Sequence, residues 1–102
     1  MARLAYSPEA IADIEEITAF SVERFGLYVA DAYLTGLEAA CEQLRDFPEM
    51  GPIYPRVRPE IRCLIHQRRR IFYRFEEGIV LILRILHHAR DVQPALDLID
   101  RN

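Results

Sequence analysis

A chain of 102 residues, 51% hydrophobic and 28% charged, has the size of one compact domain and too much apolar surface for intrinsic disorder, so a single folded unit spanning 1–102 is expected. No apolar run approaches the roughly 18 residues of a membrane span, and the first ten residues lack the apolar core of a secretory signal, which points to a cytoplasmic protein with no membrane partner. The net charge of −3 hides an asymmetry: residues 1–51 hold three Arg against ten Asp and Glu, a formal −7, whereas residues 52–102 hold ten Arg against six acids, a formal +4.

Arg3 to Tyr6 alternates in polarity and predicts a short strand at about 2–6. Ser7-Pro8-Glu9 then reads as a helix start, with a capping hydroxyl, Pro at the first helical position and a carboxylate at the positive end of the helix dipole. A helix is predicted over 8–25, with Ala10, Ile14, Ile17, Ser21 and Phe25 on one face and Asp13, Glu15, Glu16 and Glu23 mostly elsewhere on the wheel. Gly26 ends it. A second helix is predicted over 28–46 from the spacing of Ala30, Tyr33, Leu34, Leu37, Ala40, Cys41 and Leu44, and it stops at Phe47-Pro48. So short a link implies an antiparallel two-helix hairpin. Pro48, Gly51, Pro52, Pro55 and Pro59 mark an irregular connector. Beyond it, strands are expected near 61–66, 70–76 and 79–88, separated by Gln67-Arg68-Arg69 and Glu76-Glu77-Gly78, which gives a three-stranded antiparallel meander. The run IVLILRIL is apolar on both sides except at Arg84, as a central strand requires. Helices on one face of a small sheet make an α+β domain.

All thirteen basic residues are Arg, and seven of them fall between Arg56 and Arg74 against the single Glu60, a formal +6. Guanidinium groups bind carboxylate and phosphate through paired hydrogen bonds, so the cluster predicts an anionic partner, either nucleic acid or an acidic protein segment. Within it, Arg68-Arg69-Arg70 reads as a solvated hairpin tip, or as a means of capturing such a partner. Arg84, in so apolar a strand, needs a carboxylate, from Glu76, Asp91 or a helix, or else belongs to a binding groove with Arg62 and Arg74. His87 and His88, as adjacent strand residues, point to opposite faces and cannot chelate one metal unless the strand is irregular there, so no metal site is expected. They read as histidines satisfied at a strand end, with acid–base work open to them only if Arg or Tyr comes close. Cys41 and Cys63 read as buried thiols, since their spacing suits neither zinc nor a disulfide framework. Four glycines, no Lys and no GxSxG exclude a phosphate-binding loop, a dinucleotide fingerprint and a serine-hydrolase elbow, and no cofactor is expected.

The order of these elements, with SPEAIADIEEI at 7–17, FPEMG at 47–51, RRRIFYRF at 68–75 and ILRILHHARD at 82–91, resembles the ParE branch of the ParE/RelE toxin superfamily over nearly the whole chain. The resemblance implies the toxin of a bacterial type II toxin–antitoxin pair, silenced by a partly disordered ParD-like antitoxin and directed at DNA gyrase. The RelE branch instead cuts messenger RNA on the ribosome, with lysines and a C-terminal Tyr that this sequence lacks; a His near the end of the last strand, as in other branches, would assign catalysis to His87 or His88 with Arg62, Arg74 and Arg84. On the ParE reading the antitoxin is expected on the sheet, with Phe72 and Ile82 offering an apolar groove and Arg62, Arg70, Arg74 and Arg84 meeting its carboxylates. Arg68, Arg69, His88 and Arg90 are left as candidates for the target. A module binding nucleic acid alone is disfavoured by the acidic helical half.

Overall fold

A computed structural model describes residues 1–55 and 57–88. Its elements are β1 (Arg3–Tyr6), α1 (Pro8–Gln43), β2 (Arg62–His66), β3 (Arg69–Glu76) and β4 (Ile79–His87). The four strands form one sheet in the order β1-β4-β3-β2, with β1 parallel to β4 and the other pairs antiparallel. The meander is therefore part of a mixed sheet: β1 adds alongside β4, from Arg3 opposite Ile79 to Tyr6 opposite Ile82, which leaves β4 paired on both sides along its first half.

The predicted pair of helices is one helical element broken at a single residue. Ser7 caps α1, its Oγ accepting from the Ala10 N–H at 3.0 Å, and Pro8 opens the first turn. Gly26 interrupts it at φ 86°, ψ 167°, a conformation open in practice only to glycine, which lets the chain fold back with no connecting loop. A straight helix of this length would put its ends about 54 Å apart. Instead the Ala2 N–H donates to the Arg45 carbonyl at 2.9 Å, and Arg45 Nε donates to the Ala2 carbonyl at 3.1 Å, so the end of α1 returns beside its beginning.

The sheet is covered on both faces. Ala10, Ile17, Leu37 and Cys41 of α1, with Leu44 just beyond it, pack against Ile71, Tyr73, Val80, Ile82 and Ile85. The other face does not stay open, because the connector lays Val57 and Ile61 against Phe72, Leu83 and Leu86, and Tyr54 meets the Phe72 ring edge-on at 5.1 Å. Tyr73 helps anchor the connector: its Oη donates to the Pro48 carbonyl at 2.8 Å and accepts from the Gly51 N–H at 2.9 Å. A Cβ on Gly51 would sit 2.9 Å from that ring and hydroxyl, so no side chain fits there. Burial pushes the Tyr73 hydroxyl pKa upward, which keeps it a donor. Both hairpins are tighter than expected, with Gln67-Arg68 and Glu77-Gly78 as the turns. Glu77 and Gly78 both have positive φ, as the tightest hairpin turn demands.

Candidate functional site

The site grows out of an irregularity in β4. Phe72 pairs with Arg84 and Tyr73 with Ile82, so Leu83 is an extra residue and the ladder bulges there. The start of α1 takes up the displaced backbone groups: Ser7 Oγ donates to the Leu83 carbonyl at 2.8 Å, and the Ile85 N–H donates to Asp13 Oδ2 at 2.9 Å. Asp13 also receives Arg84 in a two-pronged bond, Nε to Oδ2 at 2.8 Å and Nη2 to Oδ1 at 2.9 Å, with the side chains only 7% and 17% exposed. Those bonds hold the Arg84 pKa above its ordinary value despite burial. Arg84 is thus half of a structural ion pair, and the helix carboxylate is its partner. Neither Glu76 nor Asp91 is needed for it, and Asp91 lies outside the described residues.

Beyond this clip, α1 outlasts the sheet it packs on. Ser21 is still buried, but Phe25, expected in the core stripe, is 57% exposed, and Phe20 and Val29 are 52% and 49% exposed. Together with Ile17 and Ile85 they floor a cavity of about 510 Å³ between the Gly26 kink of α1 and the β2–β3 turn. Arg68, Arg69 and His87 line its other wall. Arg69 belongs to β3, not to the hairpin tip, and its Nε donates to Tyr33 Oη at 3.3 Å. Partial desolvation, with the charges of Arg69, His88 and Arg68, holds the His87 pKa below the ordinary imidazole value, so the fixed charge on that wall at neutral pH is that of the two arginines. His88 falls just outside the strand, and the two imidazoles lie side by side, ring centres 4.8 Å apart, instead of on opposite faces; the His88 backbone N–H donates to the Arg68 carbonyl at 2.9 Å.

The other arginines stand elsewhere. Arg62 donates to the carbonyls of Glu49 and Gly51 at 3.2 and 2.9 Å and so pins the connector. Arg62 and Arg74 line a second cavity, of about 310 Å³, with Glu49, Glu60 and Glu76, where three carboxylates outweigh two guanidiniums. Arg70 is half-buried on β3, where its charge offsets part of the rise that burial causes in the Cys63 thiol pKa. Phe72 and Ile82 are 0% exposed, each sealed in one of the two core clusters, so the apolar groove expected from them is core. The set His87, His88, Arg62, Arg74 and Arg84 does not converge: Arg74 pairs with Leu81, six residues from His87 along β4, a separation of about 20 Å at the usual rise per strand residue. Of the target candidates, Arg68, Arg69 and His88 do cluster, and Arg90 lies outside the described residues. Cys41 is buried and Cys63 partly exposed, and neither borders the larger cavity.

What sequence reasoning missed was Asp13 and the groove floor. Asp13 follows Ala10 by three residues and precedes Ile17 by four, which places it on the buried stripe, and a carboxylate there signals a buried cation opposite.

The chain is a small α+β domain whose kinked helix packs on a mixed four-stranded sheet, with an apolar groove bordered by Arg68 and Arg69 at one end. The sequence matches the family described as ParE toxin of type II toxin–antitoxin system, parDE, over residues 4–92. It is 34% identical over 91 residues to Toxin ParE1 of Mycobacterium tuberculosis and 31% identical over 91 residues to Toxin ParE1 of Caulobacter vibrioides, covering 88% of this chain and 93% of the relative in each case. The fold is similar to a solved structure titled "Chromosomal ParDE TA system from P. aeruginosa", with a TM-score of 0.74 at 22% identity over 85% of this chain and 96% of that one. The chain belongs to the ParE toxin family.

Proposed function

We propose that this chain is the toxin of a type II toxin–antitoxin pair, that it acts by binding DNA gyrase and disturbing its cycle, and that a cognate ParD-like antitoxin neutralises it. The observation that carries the binding reading is the dispersal of Arg62, Arg74 and Arg84, the cations that the nuclease reading requires together. Nuclease chemistry on RNA needs a base, an acid and cations within a few ångströms of one phosphate. Here Arg84 is committed to Asp13, Arg62 to backbone carbonyls, and Arg74 to the opposite end of the sheet. What the fold does assemble is an apolar depression with a charged wall, suited to another protein.

A second reading, ribosome-dependent cleavage of messenger RNA, is favoured by one observation, the paired imidazoles of His87 and His88 beside Arg68 and Arg69. Purified protein added separately to a gyrase supercoiling assay and to translating ribosomes decides between them. Inhibited supercoiling with intact messenger RNA is the expected result; cleaved messenger RNA with normal supercoiling overturns the gyrase reading.

A further inference from the structure

We infer that Arg74, at the opposite end of the sheet from the apolar groove, is a binding site for a side-chain carboxylate of a protein partner, and that the carboxylate it takes has a basic residue beside it. This rests on the reading of the chain as a toxin that works through protein partners. Two arginines, compared, carry it. Both are largely buried, the Arg84 and Arg74 side chains being 17% and 20% exposed. Arg84 turns Nε and Nη2, the two nitrogens on one edge of its guanidinium, onto the Asp13 carboxylate at 2.8 and 2.9 Å. In Arg74 the same two nitrogens are buried and meet no hydrogen-bond acceptor among the described residues. Glu76 Oε1 stands 3.9 Å from Arg74 Nε, too far for a hydrogen bond, and its side chain is 63% exposed. Burying charged donors without an acceptor is costly, so a fork held in this way is shaped for an acceptor from outside the chain.

The surroundings define the ligand. β2 opens at Arg62 opposite Tyr73, so among the described residues no strand pairs with that side of β3 from Arg74 to Glu76. The cavity of about 310 Å³ lies along this edge, and Arg74 is lined up in it with Phe75, Arg62, Glu49, Glu60 and Glu76. Arg62 is already bonded to the Glu49 and Gly51 carbonyls, which leaves Arg74 as the guanidinium with donors to give. Three carboxylates against two guanidiniums make the lining a formal −1. A bare anion or a phosphate backbone would meet repulsion from the glutamates, whereas a carboxylate with a cation at its side places one on Arg74 and the other among the acids. An Asp or Glu next to a Lys or Arg on a polypeptide supplies that pair.

The test has two arms, both with the full chain. The first is the unfolding midpoint of the toxin by itself. Methionine is of similar shape and needs no acceptor, so Arg74→Met is expected to hold the midpoint or raise it. A midpoint more than about 2 °C below that of the parent means that Arg74 is matched within the chain, as it would be if Glu60 swung onto it, and overturns the inference. The second arm measures binding of the parent, Arg74→Met, Arg74→Lys and Glu60→Gln to the antitoxin encoded beside the chain and, separately, to gyrase. Arg74→Met is expected to weaken one of the two on the order of 30-fold, mainly through faster dissociation, and the partner that responds is the source of the carboxylate. Arg74→Lys keeps the charge but not the fork and is expected to recover only part of that loss. Glu60→Gln is expected to weaken the same partner a few-fold, roughly as loss of a partly exposed ion pair does; unchanged or tighter binding would mean a bare anion and overturn the assignment of the basic neighbour. If the parent binds both proteins and Arg74→Met loses less than about fivefold on each, the inference fails while the toxin–antitoxin reading stands. A parent that binds neither overturns both.

Discussion

The two ends of the sheet use arginine in opposite ways. At the end near Gly51, Arg62 and Tyr73 are spent on backbone groups of the connector, and Glu49, Glu60 and Glu76 surround the remaining charge. At the end near Gly26, Arg68 and Arg69 border an apolar floor with Glu16 across from them. Charge clustered in sequence is thus divided by the fold into a part that holds the chain together and a part that borders an open apolar groove. Substitutions at Arg62 and Tyr73 are expected to cost stability, and those at Arg68 and Arg69 to cost binding.

The largest effect is expected between the two ends, where the bulge is clipped to α1. Asp13→Ala leaves the Arg84 guanidinium and the Ile85 N–H without their acceptor in a largely buried setting, and the cost of stranding such a charge is about 3–5 kcal/mol. Chemical denaturation measures it. Replacing both partners, Asp13→Leu with Arg84→Met, should recover the part due to the stranded guanidinium but not the roughly 1–3 kcal/mol of the Ile85 N–H, which still lacks an acceptor. If Asp13→Ala is within 1 kcal/mol of the parent, as judged against the roughly 1 kcal/mol of an ordinary hydrogen bond, Arg84 reaches water and the clip is not structural.

Gly26→Ala comes next. Nothing lies within 4 Å of where the new Cβ would be, so packing contributes nothing and the whole penalty is the backbone conformation at φ 86°, about 1–3 kcal/mol. Because Gly26 lies between Phe25 and Val29, which both line the larger cavity, the shape of that groove should change along with the unfolding midpoint. A midpoint within a degree or so of the parent, where 1 kcal/mol corresponds to about 4–8 °C in a domain of this size, would mean that the fold-back does not depend on glycine.

These two residues also mark how far the fold was legible. Gly26 could be read as a helix end because only glycine tolerates such a break, and the strands could be read because Ile71, Tyr73 and Phe75 alternate with Arg70, Phe72 and Arg74. The parallel addition of β1 carries no local signal, since strand partners far apart in sequence are chosen by tertiary packing. Nor could the burial of Phe72 be foreseen, because it is the connector, an irregular segment without periodicity, that covers it. The groove is harder still: it exists only because the apolar stripe of α1 continues past the end of the sheet, and the stripe by itself looks like core from Ala10 to Phe25. Arg84 was legible as a charge needing a partner, but choosing Asp13 required the bulge.

Tyr73→Phe tests the pinned end alone. It removes one hydroxyl and strands the Gly51 N–H and the Pro48 carbonyl, for an expected loss of about 1–3 kcal/mol. Amide hydrogen exchange across the Gly26 kink should be unchanged, since the groove lies at the other end of β3. Hydrogen exchange should rise at Gly51 and across the connector while the β3–β4 ladder stays protected. Faster exchange across the Gly26 kink in a folded Tyr73→Phe protein would show that the two ends are coupled, and the division of labour drawn above would fail.

The smallest expected effect separates the two functional readings. His87→Ala combined with His88→Ala removes both imidazoles from the open end of the sheet but leaves Arg68, Arg69 and the apolar floor in place. Both side chains lie at or beyond the end of β4, so the unfolding midpoint should hold. If the chain acts by binding gyrase, growth arrest on expression without antitoxin should persist at nearly the parental level, with DNA-damage signalling as its accompaniment. If the imidazoles perform acid–base catalysis on RNA, their removal should reduce toxicity steeply, because such groups typically contribute about 100- to 10,000-fold in rate. Arg68→Glu supplies the complementary measurement, since it alters the wall charge without touching an acid–base group. A folded double-histidine variant that has lost its toxicity, beside an Arg68→Glu protein that keeps it, would transfer the open end of the sheet from docking to catalysis.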